Sequence, residues 1–258
     1  MKLDPIKETI LNKFGALELY CYQLDNKLFL NRNMEAKITL MDSKTINKDA
    51  YDMIKNQLYM MHDAVKSCVI CPIGRYIRKV KNLVLDPHVF SNLNYKAKFM
   101  IIAQNPGEQE CIANAPLVGP SGKNLDNVLA KFGLNRDLFY ITNVVKCYTA
   151  YNRKPTNEEI SNCKSWLDIE INLLKPKVII TLGAASLGVF FPDLNLTPNV
   201  NKVLEYNRNI KVLPTFHPSP RNLTNKDRRE EFEKTFYIIS KLLVKMKEEN
   251  EKKEKDNE

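Results

Sequence analysis

The chain has 258 residues, 44% hydrophobic and 27% charged, a globular composition that fits one or two domains and excludes low complexity for the bulk. No apolar run approaches the ~20 residues of a membrane span, and the opening Met1-Lys-Leu-Asp-Pro-Ile-Lys-Glu lacks a signal peptide's apolar centre, so an intracellular protein is expected. The net charge is +9, and the excess lies in residues 61–224, with 20 basic against 12 acidic side chains; such a body suits nucleic acid, although charge alone fits a Lys-rich soluble surface equally well.

Residues 1–45 carry weak periodicity and no motif and are set apart as an N-terminal extension. Ile54, Leu58, Met61 and Val65 recur at steps of three and four, which predicts a helix over 46–66. Cys68-Val-Ile-Cys71-Pro follows. Lys98–Ala103 is a short apolar run, read as a buried strand, and it enters the turn Gln104-Asn-Pro-Gly107. Gly119-Pro-Ser-Gly122 is a second turn. It precedes a helix faced by Leu125, Val128, Leu129 and Phe132, with Ser121 as expected N-cap and Gly133 as stop.

Phe139–Val145 is the second strand. The capping box Thr156-Asn-Glu-Glu159 opens a helix carrying Ile160, Cys163, Leu167 and Leu174, closed before Pro176. Lys177–Leu182 is the third strand, and Gly183-Ala-Ala-Ser186 opens another helix. Ile210–Pro214 is the fourth strand, followed by Thr215-Phe-His-Pro-Ser-Pro220. A last amphipathic helix over 227–247 turns Phe232, Phe236, Ile239 and Leu243 inward, and the charged tail 248–258 reads as disordered. The domain is therefore expected at 46–247. Strands alternating with helices imply an α/β fold, a parallel sheet covered on both faces. Ligands of such sheets bind beyond the carboxyl ends of the strands, where Gln104–Gly107, Asn143 and His217 fall.

Six cysteines stand at 21, 68, 71, 111, 147 and 163. Metal binding is a more natural use than disulfides in an intracellular chain of this size. Cys68, Cys71, Cys147 and Cys163 can supply four thiolates to zinc or to an iron–sulfur cluster. Structural zinc sites usually pair two close-spaced knuckles, and Cys147 and Cys163 are not one, so the spacing favours a cluster. Cys21 and Cys111 read as plain buried thiols.

Seven motifs in order resemble the family 4 uracil-DNA glycosylases. They are Cys68-x2-Cys71, Asn105-Pro-Gly107, Pro116-Leu-Val-Gly119 with Gly122, Thr142-Asn-Val-Val-Lys-Cys147, Cys147-x15-Cys163, Leu182-Gly-Ala184 and His217-Pro-Ser219. The resemblance covers about residues 50–240. It implies a three-layer α/β/α sandwich around a four-stranded, mostly parallel sheet, a 4Fe-4S cluster on the four cysteines, and uracil-containing DNA, single- or double-stranded, as the partner of a monomer with no membrane contact. Three positions depart from the family pattern. Gln104 and Asn105 stand where Glu and Ala are usual, Leu117 stands where the family carries a ring-stacking Phe, and His217-Pro-Ser-Pro220 with Arg221-Asn-Leu223 is closer to the family 1 minor-groove loop.

The chemistry of base removal assigns roles to these residues. The target base must leave the stack and enter a pocket. Uracil then shows an N3–H donor and an O4 acceptor, which one carboxamide matches, so Asn143 is the expected base reader. Its plainer use is to cap the strand end. Cleavage leaves negative charge on uracil O2, and His217 is the expected donor to it. Asn105 is expected to hold the attacking water, although Asn-Pro-Gly also makes a turn on its own. Gln104 and Leu117 complete the base-binding set. Gly119, Ser121 and Gly122 are expected to offer amides to a phosphate. Ser219 is expected to pinch the strand, and Arg221, with Asn222 and Leu223, to fill the gap left by the base; a solvated surface charge is the bland alternative for Arg221. His62 and His88 read as surface residues. Rival functions are a glycosylase of wider base range (hypoxanthine, mispaired thymine) and a non-catalytic DNA-binding subunit.

Overall fold

In the computed structural model, which describes residues 43–75, 78–80, 83–97 and 99–255, side chains alternate along five-residue strands and bury both faces of one sheet. A long helix α1 (Ser43–Lys66) leads into α2 (Pro72–Arg75) and a small antiparallel pair, β1 (Arg78–Val80) and β2 (Leu83–Leu85). β3 (Phe99–Ala103), α3 (Glu108–Ala113), α4 (Pro120–Lys131), β4 (Phe139–Asn143) and α5 (Asn157–Leu174) follow. The chain continues through β5 (Val178–Leu182), α6 (Ala184–Phe190), β6 (Leu204–Glu205), β7 (Lys211–Thr215), α7 (Pro220–Leu223) and α8 (Lys226–Lys255).

The central sheet has the order β4-β3-β5-β7-β6. The first four strands are parallel, and β6 adds an antiparallel edge. This fifth strand corrects the expected four; at two residues it is too short to carry a periodic signal. Met100, Ile102, Tyr140, Ile179 and Val212 face one core, against α1 and the Trp166, Leu167 and Ile171 side of α5. Phe99, Ile101, Phe139, Ile141, Ile180 and Leu213 face the other, against Leu125, Val128 and Leu129 of α4 and Phe232, Phe236 and Ile239 of α8. The result is the expected three-layer sandwich.

Helix ends follow local chemistry. The capping box is present: the Thr156 hydroxyl accepts from the Glu159 amide, and the Glu159 carboxylate accepts from the Thr156 amide at 2.8 Å. The N-cap of α4 is Gly119 rather than Ser121, because Pro120 takes the first helical position, where its missing N–H costs nothing. Gly133 adopts φ +67° after α4, and the Leu134 amide closes back onto the Leu129 carbonyl at 2.9 Å. The final helix continues through the charged residues 248–255 that read as disordered, since Glu and Lys are strong helix formers. Residues 1–42 with Cys21, 76–77, 81–82, Lys98 (expected in the first strand) and 256–258 lie outside the described residues.

The turn before α4 depends on a glycine. Leu117 sits at φ +52°, and a Cβ on Gly122 would stand 1.8 Å from the Leu117 carbonyl oxygen. Gly122→Ala is therefore expected to displace this turn and cost about 3 kcal/mol or more. A thermal melt checks this, and the variant should show a clearly lowered Tm.

Candidate functional site

Ala103, Asn143, Leu182 and Thr215 end the four parallel strands on one side of the sheet. β3 is paired with β4 on one side and β5 on the other, so the winding reverses at β3, where α/β sheets open a crevice. A cavity of about 800 Å³ lies there. Gln104, Asn105, Leu117, Ser121, Asn143, His217 and Ser219 all line it.

Asn143 is 2% exposed. Its Nδ2 is buried and, among the described residues, without a hydrogen-bond partner. A buried unpaired donor costs about 1–3 kcal/mol, so this N–H at the cavity wall is free to meet an acceptor. The strand-capping use is thereby disfavoured. The Asn143 carbonyl is held at 2.8 Å by the Lys146 ammonium. Lys146 also donates to Thr142 Oγ1 at 2.6 Å and to the Glu170 carboxylate, which in turn accepts from the Tyr140 and Thr142 hydroxyls at 2.9 Å each. Lys146 is 1% exposed and Glu170 fully buried. Neither was expected as a buried charge, because Lys146 follows an apolar strand and Glu170 occupies a helix position that periodicity alone gives to no partner.

The Asn105 amide is fixed by its surroundings. Its Nδ2 donates to the Pro106 carbonyl at 3.0 Å, Asn152 Oδ1 at 3.2 Å and Thr149 Oγ1 at 3.3 Å. Its Oδ1 accepts from Gln104 Nε2 at 2.9 Å, which leaves that oxygen a further lone pair. His217 follows β7, its carbonyl accepting from Asn222 Nδ2 at 3.0 Å. Its backbone and Cβ pass against Gly183, which takes φ +92°. Burial holds the His217 imidazole below the ordinary histidine range, opposed by the nearby Glu110 carboxylate. The ring is therefore neutral at pH 7 and carries one N–H to donate.

Glu110 was not anticipated. Its carboxylate accepts from the Gly107 amide at 3.1 Å, the Val118 amide at 2.9 Å and the Gly119 amide at 2.8 Å. It ties the Gln104–Gly107 turn to the Leu117–Gly119 turn. The signal in the sequence is an acid in the first turn of a helix opened by Pro-Gly. It also revises the anion-binding expectation, since the Gly119 amide is already taken, and Gly122 is buried as the close-packing residue against Leu117. Of that turn, Ser121 reaches the cavity.

The last loop also differs from expectation. Arg221 is exposed and does not line the cavity. Leu223 packs against the core, so it is not a free wedge, and Asn222 is engaged with His217 and Arg228. Pro220 starts a helical turn here, capped by Ser219, and that turn rotates these side chains away from an extended strand's positions. Arg228 lines the cavity, 5.5 Å from the Phe216 ring centre. Phe216, Asn152 and Lys154 are further lining residues that no motif marked.

Cys68, Cys71, Cys147 and Cys163 are all buried in one core, between α1 and α5. Burial pushes all four thiols up, Cys163 to about 12; neighbouring cysteines of the set add to this at Cys68, Cys147 and Cys163, and the Glu159 carboxylate adds to it at Cys71. N–H donors reach three of the sulfurs: the Lys146 amide on Cys163 Sγ at 3.2 Å, the Ile70 amide and the Trp166 side chain on Cys68, and the Gly74 and Ile73 amides on Cys71. The donor set contains no His or carboxylate; among the described residues no three Cys, His, Asp or Glu side chains close on a single ion. His88 is 5% exposed rather than a surface residue. Its ring joins Asp86 Oδ1 at 2.6 Å to the Cys68 carbonyl at 2.9 Å, and this pairing of an irregular segment with a distant carbonyl leaves no periodic trace. Cys111 is buried beside Val89 and Tyr148, as expected for a plain thiol.

Comparison with known proteins supplies an independent finding. A family model, Uracil DNA glycosylase superfamily, matches residues 90–239. A type-4 uracil-DNA glycosylase of Thermotoga maritima is 34% identical over 190 residues, covering 70% of this chain and 94% of that protein. One of Saccharolobus solfataricus is 32% identical over 197 residues, with 73% and 87% covered. One of Archaeoglobus fulgidus is 35% identical over 160 residues, with 59% and 80% covered.

The Lys146–Glu170 pair should be costly to break singly. Lys146→Met leaves a buried carboxylate without its cation and is expected to lower stability by about 3–5 kcal/mol in urea unfolding. The double variant Lys146→Met/Glu170→Met removes both charges and should recover part of that loss.

Proposed function

This chain belongs to the uracil-DNA glycosylase superfamily and to its type-4 enzymes, and from that premise we propose how its own residues carry out the reaction. The enzyme hydrolyses the N-glycosidic bond of uracil in DNA and leaves an abasic site for repair. The observation that carries the assignment of roles is the buried, unpartnered Nδ2 of Asn143 at the carboxyl end of β4.

The flipped uracil enters the cavity beyond β3, β4 and β7. Asn143 Nδ2 donates to uracil O4, and its Oδ1 accepts from N3–H. Cytosine presents the reverse order on that edge, so the same amide would meet donor with donor and acceptor with acceptor, at about 1–3 kcal/mol for each group left unpaired. Leu117 and Gln104 supply wall around the ring.

As the bond to C1′ breaks, the electron pair goes to the uracil ring and charge gathers on O2. The neutral His217 donates an N–H to that oxygen. No proton need be held in advance, which matches a ring kept below its ordinary pKa by burial. The sugar becomes oxocarbenium-like, and water attacks it. Asn105 Oδ1, steadied by Gln104, holds that water. An amide is a poor base, but a developing cation asks little of one. Ser121, Ser219, Lys154 and Arg228 line the entrance and suit the backbone of the strand.

Cys68, Cys71, Cys147 and Cys163 would hold a 4Fe-4S cluster. Four buried thiols with N–H donors aimed at three of them suit such a group. Hydrolysis has no redox step, so such a cluster would contribute structurally: through these four cysteines it would tie the segment between α1 and α2 to α5 and to the chain just after β4.

A second reading concerns base range. Gly107 lines the cavity and carries no side chain to exclude a 5-methyl group, and a Cβ there would meet the Glu110 carboxylate at 2.7 Å. Duplexes each holding one altered base test it, and release of uracil alone rules it out.

Two outcomes check the main reading. On a labelled oligonucleotide with one central uracil, followed by alkali, the wild type should cut at the uracil. His217→Ala should lower kcat by about 10²–10³-fold with DNA affinity retained; unchanged kcat would remove His217 from the chemistry. The purified protein should be brown and contain iron, and Cys163→Ala should lose both the colour and thermal stability; colourless, zinc-bearing protein would sink the cluster assignment.

A further inference from the structure

The segment between Cys147 and α5 is held at both ends. The Thr149 hydroxyl donates to the Arg153 carbonyl, and the Asn152 amide donates to the Thr149 carbonyl at 2.9 Å. The Arg153 guanidinium grips both Glu159 oxygens at 2.8 and 2.6 Å, and Glu159 is itself fixed by the Thr156 cap. On the turn so pinned, Ala150–Asn152, Tyr151 is 98% exposed and takes left-handed backbone angles, φ 53° and ψ 26°. A bulky side chain is disfavoured in that region, and here its ring contributes nothing to the core. Tyr148, three residues earlier, is by contrast buried.

The turn adjoins the site. Asn152 lines the cavity and accepts from the Asn105 amide, and Lys154 lines it too. Tyr151 is thus one residue from the wall that fixes the water-holding side chain, on a rim that also carries Arg153 and Lys154. We propose that Tyr151 is a stacking platform for a base next to the target nucleotide in the substrate strand, an inference that rests on the uracil-DNA glycosylase reading. Extruding the target exposes a ring face of its neighbour, and an aromatic side chain accepts any base by its π-face, whatever the sequence. The pinned turn leaves the backbone beneath the ring little freedom to lose, and the adjacent Lys154 suits a neighbouring phosphate.

The test uses the full chain as wild type, Tyr151→Gly and Tyr151→Phe. Glycine suits the left-handed turn, so Tyr151→Gly removes the ring without disturbing the loop. The probe is a fluorescein-labelled oligonucleotide with a central tetrahydrofuran abasic site and no uracil, single- and double-stranded, read by anisotropy. Tyr151→Gly is expected to raise Kd by about 5- to 150-fold, and KM on the uracil oligonucleotide in step, while Tyr151→Phe binds like the wild type. A wild-type Kd for Tyr151→Gly on both strands overturns the proposal and leaves the ring to a protein contact. A loss as large in Tyr151→Phe also overturns it, since the hydroxyl would then be the contact. Failure of the wild type to release uracil would count against the glycosylase reading alone, because the Kd comparison uses DNA without uracil.

Discussion

The site depends on a buried ion pair beneath the end of β4. The Lys146 ammonium meets the Glu170 carboxylate, the Thr142 hydroxyl and the Asn143 carbonyl, while the amide of the same residue reaches Cys163. One residue therefore joins the strand end, the helix α5 and the cysteine set. Replacing such a pair by apolar residues can leave a protein as stable, so stability alone does not account for it. What the pair supplies is position. The backbone that carries Asn143 is clamped from below, as the proposed reading of uracil by two aimed hydrogen bonds would require.

The opposite wall is built on the same principle with different parts. Glu110 gathers three backbone amides from two turns, and Arg136 holds the carbonyls of Pro116 and Leu117 while pairing with Asp126. Leu117 is kept in a left-handed conformation by this grip and by the approach of Gly122. Fixed walls matter for a reaction whose transition state is stabilised by dipoles that do not reorganise. The side chains proposed to meet the base and the water are neutral: an imidazole held below its usual pKa and two carboxamides. On that proposal, a flipped base is fitted by orientation rather than by charge.

The cysteines extend this scheme away from the cavity. They lie on the face of the sheet that packs against α1 and α5, whereas α4 and α8 cover the other face. Their link to the chemistry runs through the chain itself, since Cys147 follows Lys146 and lies four residues from Asn143. A cluster there would brace the strand end that the ion pair clamps, with no part in bond breaking.

Local chemistry in the sequence determined the elements and the order of the motifs. The Thr156–Glu159 box, the glycine stop at 133, the apolar strands and the two-faced helices all follow from forces acting within a few residues, and the convergence of Gln104–Gly107, Asn143 and His217 follows from the handedness of parallel sheets. The tertiary structure alone decided what depends on distant partners. Glu170 and Lys146 are ordinary surface types by composition, and only burial 24 positions apart makes them a pair. His88 becomes a core residue because the Cys68 carbonyl, 20 positions away, needs a donor. Gly119 loses its amide to Glu110, and Arg228, six positions beyond Asn222 and in contact with it, comes to line the cavity. Periodicity records which face a residue occupies, but the group it meets across that face is set by packing between elements that the sequence does not place side by side.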